Sequence, residues 1–179
     1  MNAFANAAVF QVGWFACVLS VSNRVEILAL VSVALIIATH VYLVKNWYSD
    51  IQIILSAGVI GLIVDSTMIS HNIFAPSHEM AIEGLAPLWL IGLWMLFGTT
   101  INHSLVWFRN HLLLAAIAGF VFAPLAYWAG YKFDVLNFPD DYVYHISLFA
   151  VGICWFFITP FLIWLSQLIN HKSDALQIN

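Results

Sequence analysis

The chain has 179 residues, 63% of them hydrophobic and 8% charged, with a net charge of −4 and a mean hydropathy of +0.94. Soluble domains carry about 25% charged residues, so this composition excludes a water-soluble monomer. Eight Trp and fourteen Phe exclude a disordered chain, and five Lys and Arg in total leave no basic patch for a nucleic acid. An integral membrane protein remains, with membrane lipids as its first partners.

A helix crosses the hydrocarbon in about 20 mostly apolar residues. Stretches of that kind predict spans at about 5–22, 25–44, 51–70, 87–108, 112–131 and 142–169. The first lacks the charged leading segment and the small-residue cleavage site of a signal peptide and is expected to be retained. The second stops at Lys45-Asn46-Trp47, the third is interrupted by Asp65, and the fourth opens on Pro87 and carries no formal charge. The runs are apolar throughout, unlike the alternating strands of a membrane barrel. The expected fold is all-α, a single polytopic transmembrane domain over 1–179 with about six helices.

Lys45, Arg109 and Lys172 would share one side of such a bundle, against Arg24 and Lys132 on the other. The positive-inside rule then places both termini in the cytoplasm. An acidic outer face is expected from Glu79, Glu83, Asp134, Asp140 and Asp141. Cys17 and Cys154 lie in apolar runs and read as small fillers, with no disulfide implied.

Helices in lipid associate through small residues and polar bridges. Ala57, Gly61 and Asp65 form one stripe at four-residue spacing, and Ala115, Gly119 and Ala123 form another. Pro124 and Pro160 are expected to kink their helices. Ionisable groups at membrane depth are functional candidates by default, because burying them costs at least about 2.5 kcal/mol. Asp65 is one, read either as a clamp between helices or as a proton or cation site. Thr99, Asn102 and His103 stand at i, i+3 and i+4, so they share a helical face. Gln11 and His40 fall at a similar depth and are expected as their hydrogen-bond partners. An imidazole there can move protons near neutral pH.

A further group, His71, His78, Glu79, Glu83 and His145, lies toward the other side. Imidazole with carboxylate suits zinc or iron, but the spacing lacks the His-Glu-x-x-His pattern, and a solvated loop without metal is expected. His71 would meet Asp65 if the third helix continues that far. There is no nucleophile elbow, phosphate loop or dinucleotide fingerprint, and no cofactor is implied.

The run Pro87-Leu88-Trp89-Leu90 through Phe97-Gly98-Thr99-Thr100-Ile101-Asn102-His103-Ser104-Leu105 resembles the domain-of-unknown-function 2878 family. Gly119 with Ala123-Pro124-Leu125-Ala126-Tyr127, Gly61-Leu62-Ile63-Val64-Asp65-Ser66 and Trp14-Phe15-Ala16-Cys17 add to the likeness, which covers nearly the whole chain. The resemblance implies a small multi-pass protein of the bacterial inner membrane with no assigned activity. Its relatives are often encoded near fatty-acid-modifying enzymes such as cyclopropane-fatty-acid synthases, which points to envelope lipids.

Three functional readings follow. In the first, the protein modifies or handles lipids, with Asp65, Asn102 and His103 as catalytic candidates and Gln11, His40, Thr99 and His71 as binding candidates. In the second it is a small proton- or cation-coupled transporter. In the third it is a non-catalytic subunit of a partner membrane enzyme. Either a homo-oligomer or such a partner is compatible with the sequence.

Overall fold

The computed structural model describes residues 2–78, 83–139 and 144–177, with side chains as far as His171. Glu79, Asp140, Asp141, the side chain of Lys172 and the first two residues expected in the sixth span lie outside the described residues. The rest is helical: α1 Ala3–Ser22, α2 Glu26–Leu43, α3 Trp47–Ser70, α4 Leu88–Ile101, α5 Leu112–Lys132 and α6 Tyr144–Gln177. All but α4 are long and apolar enough to cross a membrane. Large apolar side chains such as Ile27, Leu35, Ile63, Leu113, Phe122 and Phe157 stand exposed around the bundle. Water would not tolerate so continuous an apolar surface, and acyl chains would. The protein is an all-α membrane bundle.

The helices alternate in direction, so one end of the bundle carries the α2–α3 turn and both termini. The other end carries two short antiparallel strands, β1 Ala75–Pro76 and β2 Leu136–Asn137, paired Ala75 to Asn137 and Pro76 to Leu136. These strands were not expected from the sequence; two residues are too few to leave a periodic signal.

The fourth span departs from its expected limits of 87–108. Helix α4 has only 14 residues, or about 21 Å of rise against a hydrocarbon core of about 30 Å. Its end is marked by side-chain hydrogen bonds. The hydroxyls of Thr99 and Thr100 donate to the carbonyls of Leu96 and Phe97 at 2.7 and 2.6 Å. The side chains of Asn102, His103 and Ser104 are all drawn to partners on other segments. The chain then turns through 102–105 into a 3-10 turn, Val106–Asn110. Asn6, almost fully buried on α1, ties this break down. Its amide donates to the Thr99 carbonyl at 3.0 Å, and its oxygen accepts from the backbone and hydroxyl of Ser104 at 3.2 and 2.7 Å.

Small residues set the helix contacts. A Cβ on Gly98 would come within 2.8 Å of the Ile54 Cα, so α3 and α4 meet backbone to backbone beside Ala57. A Cβ on Gly61 would collide with the Trp94 ring, and one on Gly119 would collide with Trp155 and Thr159 of α6. Both helices with an internal proline run on through it. Pro124 deprives the Phe120 carbonyl of its usual partner; that oxygen faces Gly152, whose added Cβ would lie 3.1 Å away.

Gly98→Ala is therefore expected to destabilise the bundle by about 1–3 kcal/mol through overpacking. Thermal unfolding in detergent checks this, with Gly84→Ala no substitute, since Gly84 takes a positive φ of 78° for its own backbone reasons.

Candidate functional site

At the end of the bundle that carries the termini, five segments converge on Asp50. The α2–α3 turn is so short that His40, five residues before Lys45, and Asp50, five residues after it, face each other across a helical hairpin. His40 Nε2 lies 2.9 Å from Asp50 Oδ2, and His103 Nε2 reaches the same oxygen at 2.7 Å from the break after α4. Asn102 Nδ2 donates to the other oxygen, Oδ1, at 2.7 Å. The two imidazole rings meet edge to face, 4.8 Å between centroids. Side-chain exposure falls from 18% at His103 to 5% at Asp50 and 1% at His40, so the cluster opens only on its His103 side.

Asn102 is itself fixed from behind. Its oxygen accepts from Arg109 Nη2 at 2.7 Å and from Asn170 Nδ2 on α6 at 3.1 Å. Gln167 donates to the Arg109 carbonyl at 3.1 Å. Burial draws the Arg109 guanidinium below its usual range, and the nearby Asp50 carboxylate raises it again. Arg109 Nε and His40 Nδ1 are buried without a hydrogen-bond partner among the described residues. A polar cavity of about 530 Å³ opens here, bordered by Lys45, Asn46, Asp50, Asn102, His103 and Arg109. Two of the chain's five Lys and Arg thus face one small cavity.

A second cavity, an apolar groove of about 680 Å³, lies between α1 and α5 with α4 as its floor. Phe10, Trp14, Trp94, Phe97, Phe122 and Ala126 are among its walls, and Leu105 and Phe108 close it next to the polar cavity. At the strand end Phe133 bridges to Trp14 and Phe15, with centroids 6.3 and 6.2 Å apart. On its open rim Phe122 is 67% exposed.

Asp65 stands behind this groove, fully buried. Trp94 Nε1 donates to its Oδ2 and the Tyr127 hydroxyl to its Oδ1, each at 2.6 Å. The carboxyl thereby joins α3, α4 and α5, and both of its donors border the groove.

The sequence candidates are thus distributed between several places. His40, Asn102 and His103 come together, and Thr99 contributes its backbone carbonyl to the Asn6 bridge nearby. Gln11 does not join them. It is exposed and borders the apolar groove, because depth along α1 was right but rotation about its axis was not. His71 does not reach Asp65: it is exposed past the end of α3, and its Nδ1 lies 2.8 Å from the Thr67 carbonyl. His78 lies 3.1 Å from the Val21 carbonyl, while Glu83 and His145 are exposed. Asp50, Arg109, Asn6 and Asn170 were missed. Asp50 was placed just outside the third span, yet the symmetry of His40 and Asp50 about Lys45 would have revealed the pair.

Removing one donor from a buried carboxyl should be measurable. Tyr127→Phe is expected to cost about 1 kcal/mol, or roughly 2–4 °C in melting temperature for a chain of this size. Asp50→Ala strands three donors at once and is expected to lower it further, in the same detergent unfolding measurement.

No curated protein and no solved structure matches the chain. A family model described as "Protein of unknown function (DUF2878)" matches residues 3–161. That stretch contains Asp50 and Asp65 with every side chain that hydrogen-bonds to either among the described residues, and the chain belongs to the DUF2878 family.

Proposed function

We propose that this protein handles or modifies an anionic membrane lipid in the bacterial inner membrane, with both termini cytoplasmic. The acyl chain occupies the groove between α1 and α5, and the head group sits in the polar cavity against Lys45 and Arg109. One observation carries this reading. The segment 102–110 is a wall of both cavities, with Leu105 and Phe108 on the apolar side and Asn102, His103 and Arg109 on the polar side. An amphiphile lying along that wall meets each half of its own chemistry in turn.

The residues have distinct roles in this reading. Arg109 offers a fixed, directional donor set for phosphate or carboxylate, and exposed Lys45 adds a mobile charge. His103, at the open edge of the cluster, exchanges protons with the head group. Asp50 orients the imidazole through its Nε2, while Asn102 fixes Asp50. The transport reading has less support. Asp50 and Asp65 stand fifteen residues apart on α3, about 22 Å along the axis. The buried positions of α3 between them are Ile53, Ile54, Ala57, Gly58 and Gly61, which pass no protons.

Mass spectrometry of lipids that co-purify in a mild detergent tests the proposal. Ala126→Trp, which fills the groove, and Arg109→Ala, which removes the anion donor, are each expected to lower bound anionic lipid roughly tenfold. His103→Ala should keep the bound lipid and alter the cellular lipid profile as deletion of the chain does. Unchanged lipid binding in both cavity variants of a folded protein would overturn the reading in favour of a non-catalytic subunit.

A further inference from the structure

The Asp50 cluster has a second property. His40 Nε2, the Asp50 carboxylate and His103 Nε2 all lie within 4.8 Å of one another, contributed by α2, α3 and the turn after α4. We propose that these three side chains bind a divalent first-row transition metal, of the iron or zinc class, at the inner end of the polar cavity. The inference concerns the same cavity as the proposed function, but it rests on the three donors alone.

Geometry supports it first. Metal bonds of about 2.0–2.1 Å put neighbouring donor atoms about 2.9 Å apart on an octahedral ion and about 3.3 Å apart on a tetrahedral one. The two nitrogen-to-oxygen separations here are 2.9 and 2.7 Å. A cation placed against Oδ2 would take both Nε2 lone pairs with small side-chain shifts. The perpendicular rings, 88° between planes, let both nitrogens address one point without stacking.

The donor set is the second argument. Two imidazoles and one carboxylate suit iron(II), zinc and their neighbours, and are neither the thiolate set of copper(I) nor the all-oxygen set of calcium. Such a triad leaves coordination positions free. The free side is the His103 side, where the cluster meets the 530 Å³ cavity. Water or a head-group oxygen reaches the ion from there.

The surroundings are the third. Ligating carboxylates are characteristically held by hydrogen bonds to their remaining oxygen. Asn102 does this for Oδ1, and Arg109 and Asn170 hold Asn102 in turn. The bound ion would also turn Lys45 and Arg109 from isolated charges into flanks of a strong anion site. It would polarise a bound phosphate or carboxylate and lower the pKa of a bound water.

The test uses full-length protein carrying no polyhistidine tag and purified without chelator. Elemental analysis is expected to find close to stoichiometric iron or zinc. After chelation, cobalt(II) alone is added, and ligand-field absorption in the visible range should appear and saturate. His103→Gln, at the exposed edge, and His40→Gln, at the buried one, should each weaken cobalt affinity at least tenfold. Ala126→Trp should retain the metal fully, whatever it does to lipid. A wild-type protein without metal and without cobalt absorption overturns the inference and leaves the lipid reading intact. Should the histidine variants misfold, the wild-type titration still decides. Equal cobalt affinity in folded His103→Gln also overturns it.

Discussion

A carboxylate admitted to a membrane bundle must be given donors by the protein, since acyl chains offer none. Asp50 sets this demand at the end of the bundle where the termini lie, and much of the local architecture answers it. Helix α3 brings the carboxylate in its first turn, where the helix dipole favours negative charge. Helix α2 brings His40 across a short turn. Helix α4 ends at Ile101, and from the turn that follows Asn102 and His103 reach the two oxygens of Asp50. Asn6 and Asn170 are the posts that hold this break open.

The apolar groove runs along α4 itself, between α1 and α5, with Trp89, Leu93, Trp94 and Phe97 along its floor. Small residues at Gly119 and Ala123 hold α5 against α6, away from α1, and so keep that space from collapsing. Asp65 secures the floor from behind. Its two bonds fix the indole of Trp94 and the phenol of Tyr127, and Trp94 then stacks on Trp155 with centroids 4.4 Å apart.

Much of this was legible in the sequence, and the illegible part has physical causes. The helix count, the contact stripes and the unusual standing of Asp65, Asn102 and His103 follow from the cost of polar groups in hydrocarbon. The partners of Asp65 were not legible, because Trp94 and Tyr127 read as apolar bulk, and only tertiary contact turns an indole N–H into a carboxylate donor. Asp50 was passed over because a charge at a span boundary can snorkel to water, and composition does not say which way it turns. Gln11 failed for the opposite reason. An amide at the right depth still needs the right rotation, and α1 turns it toward the groove. Position along an apolar run locates depth well; rotation about each axis is decided by packing among all six helices.

The electrostatics of the polar cavity bear on the proposed anionic head group. Asp50 brings one negative charge, while Lys45 and Arg109 bring two positive ones. Arg109 spends Nη2 on Asn102 and leaves Nε buried and unpartnered among the described residues. An anion entering the cavity would gain two charge contacts, with Lys45 and Arg109. A neutral head group would gain neither contact, and a cationic one would also meet like charge at Lys45 and Arg109. The apolar groove alone would accept any acyl chain. On the proposed reading, discrimination would fall to the 102–110 wall, which carries Leu105 and Phe108 on one cavity and Asn102, His103 and Arg109 on the other.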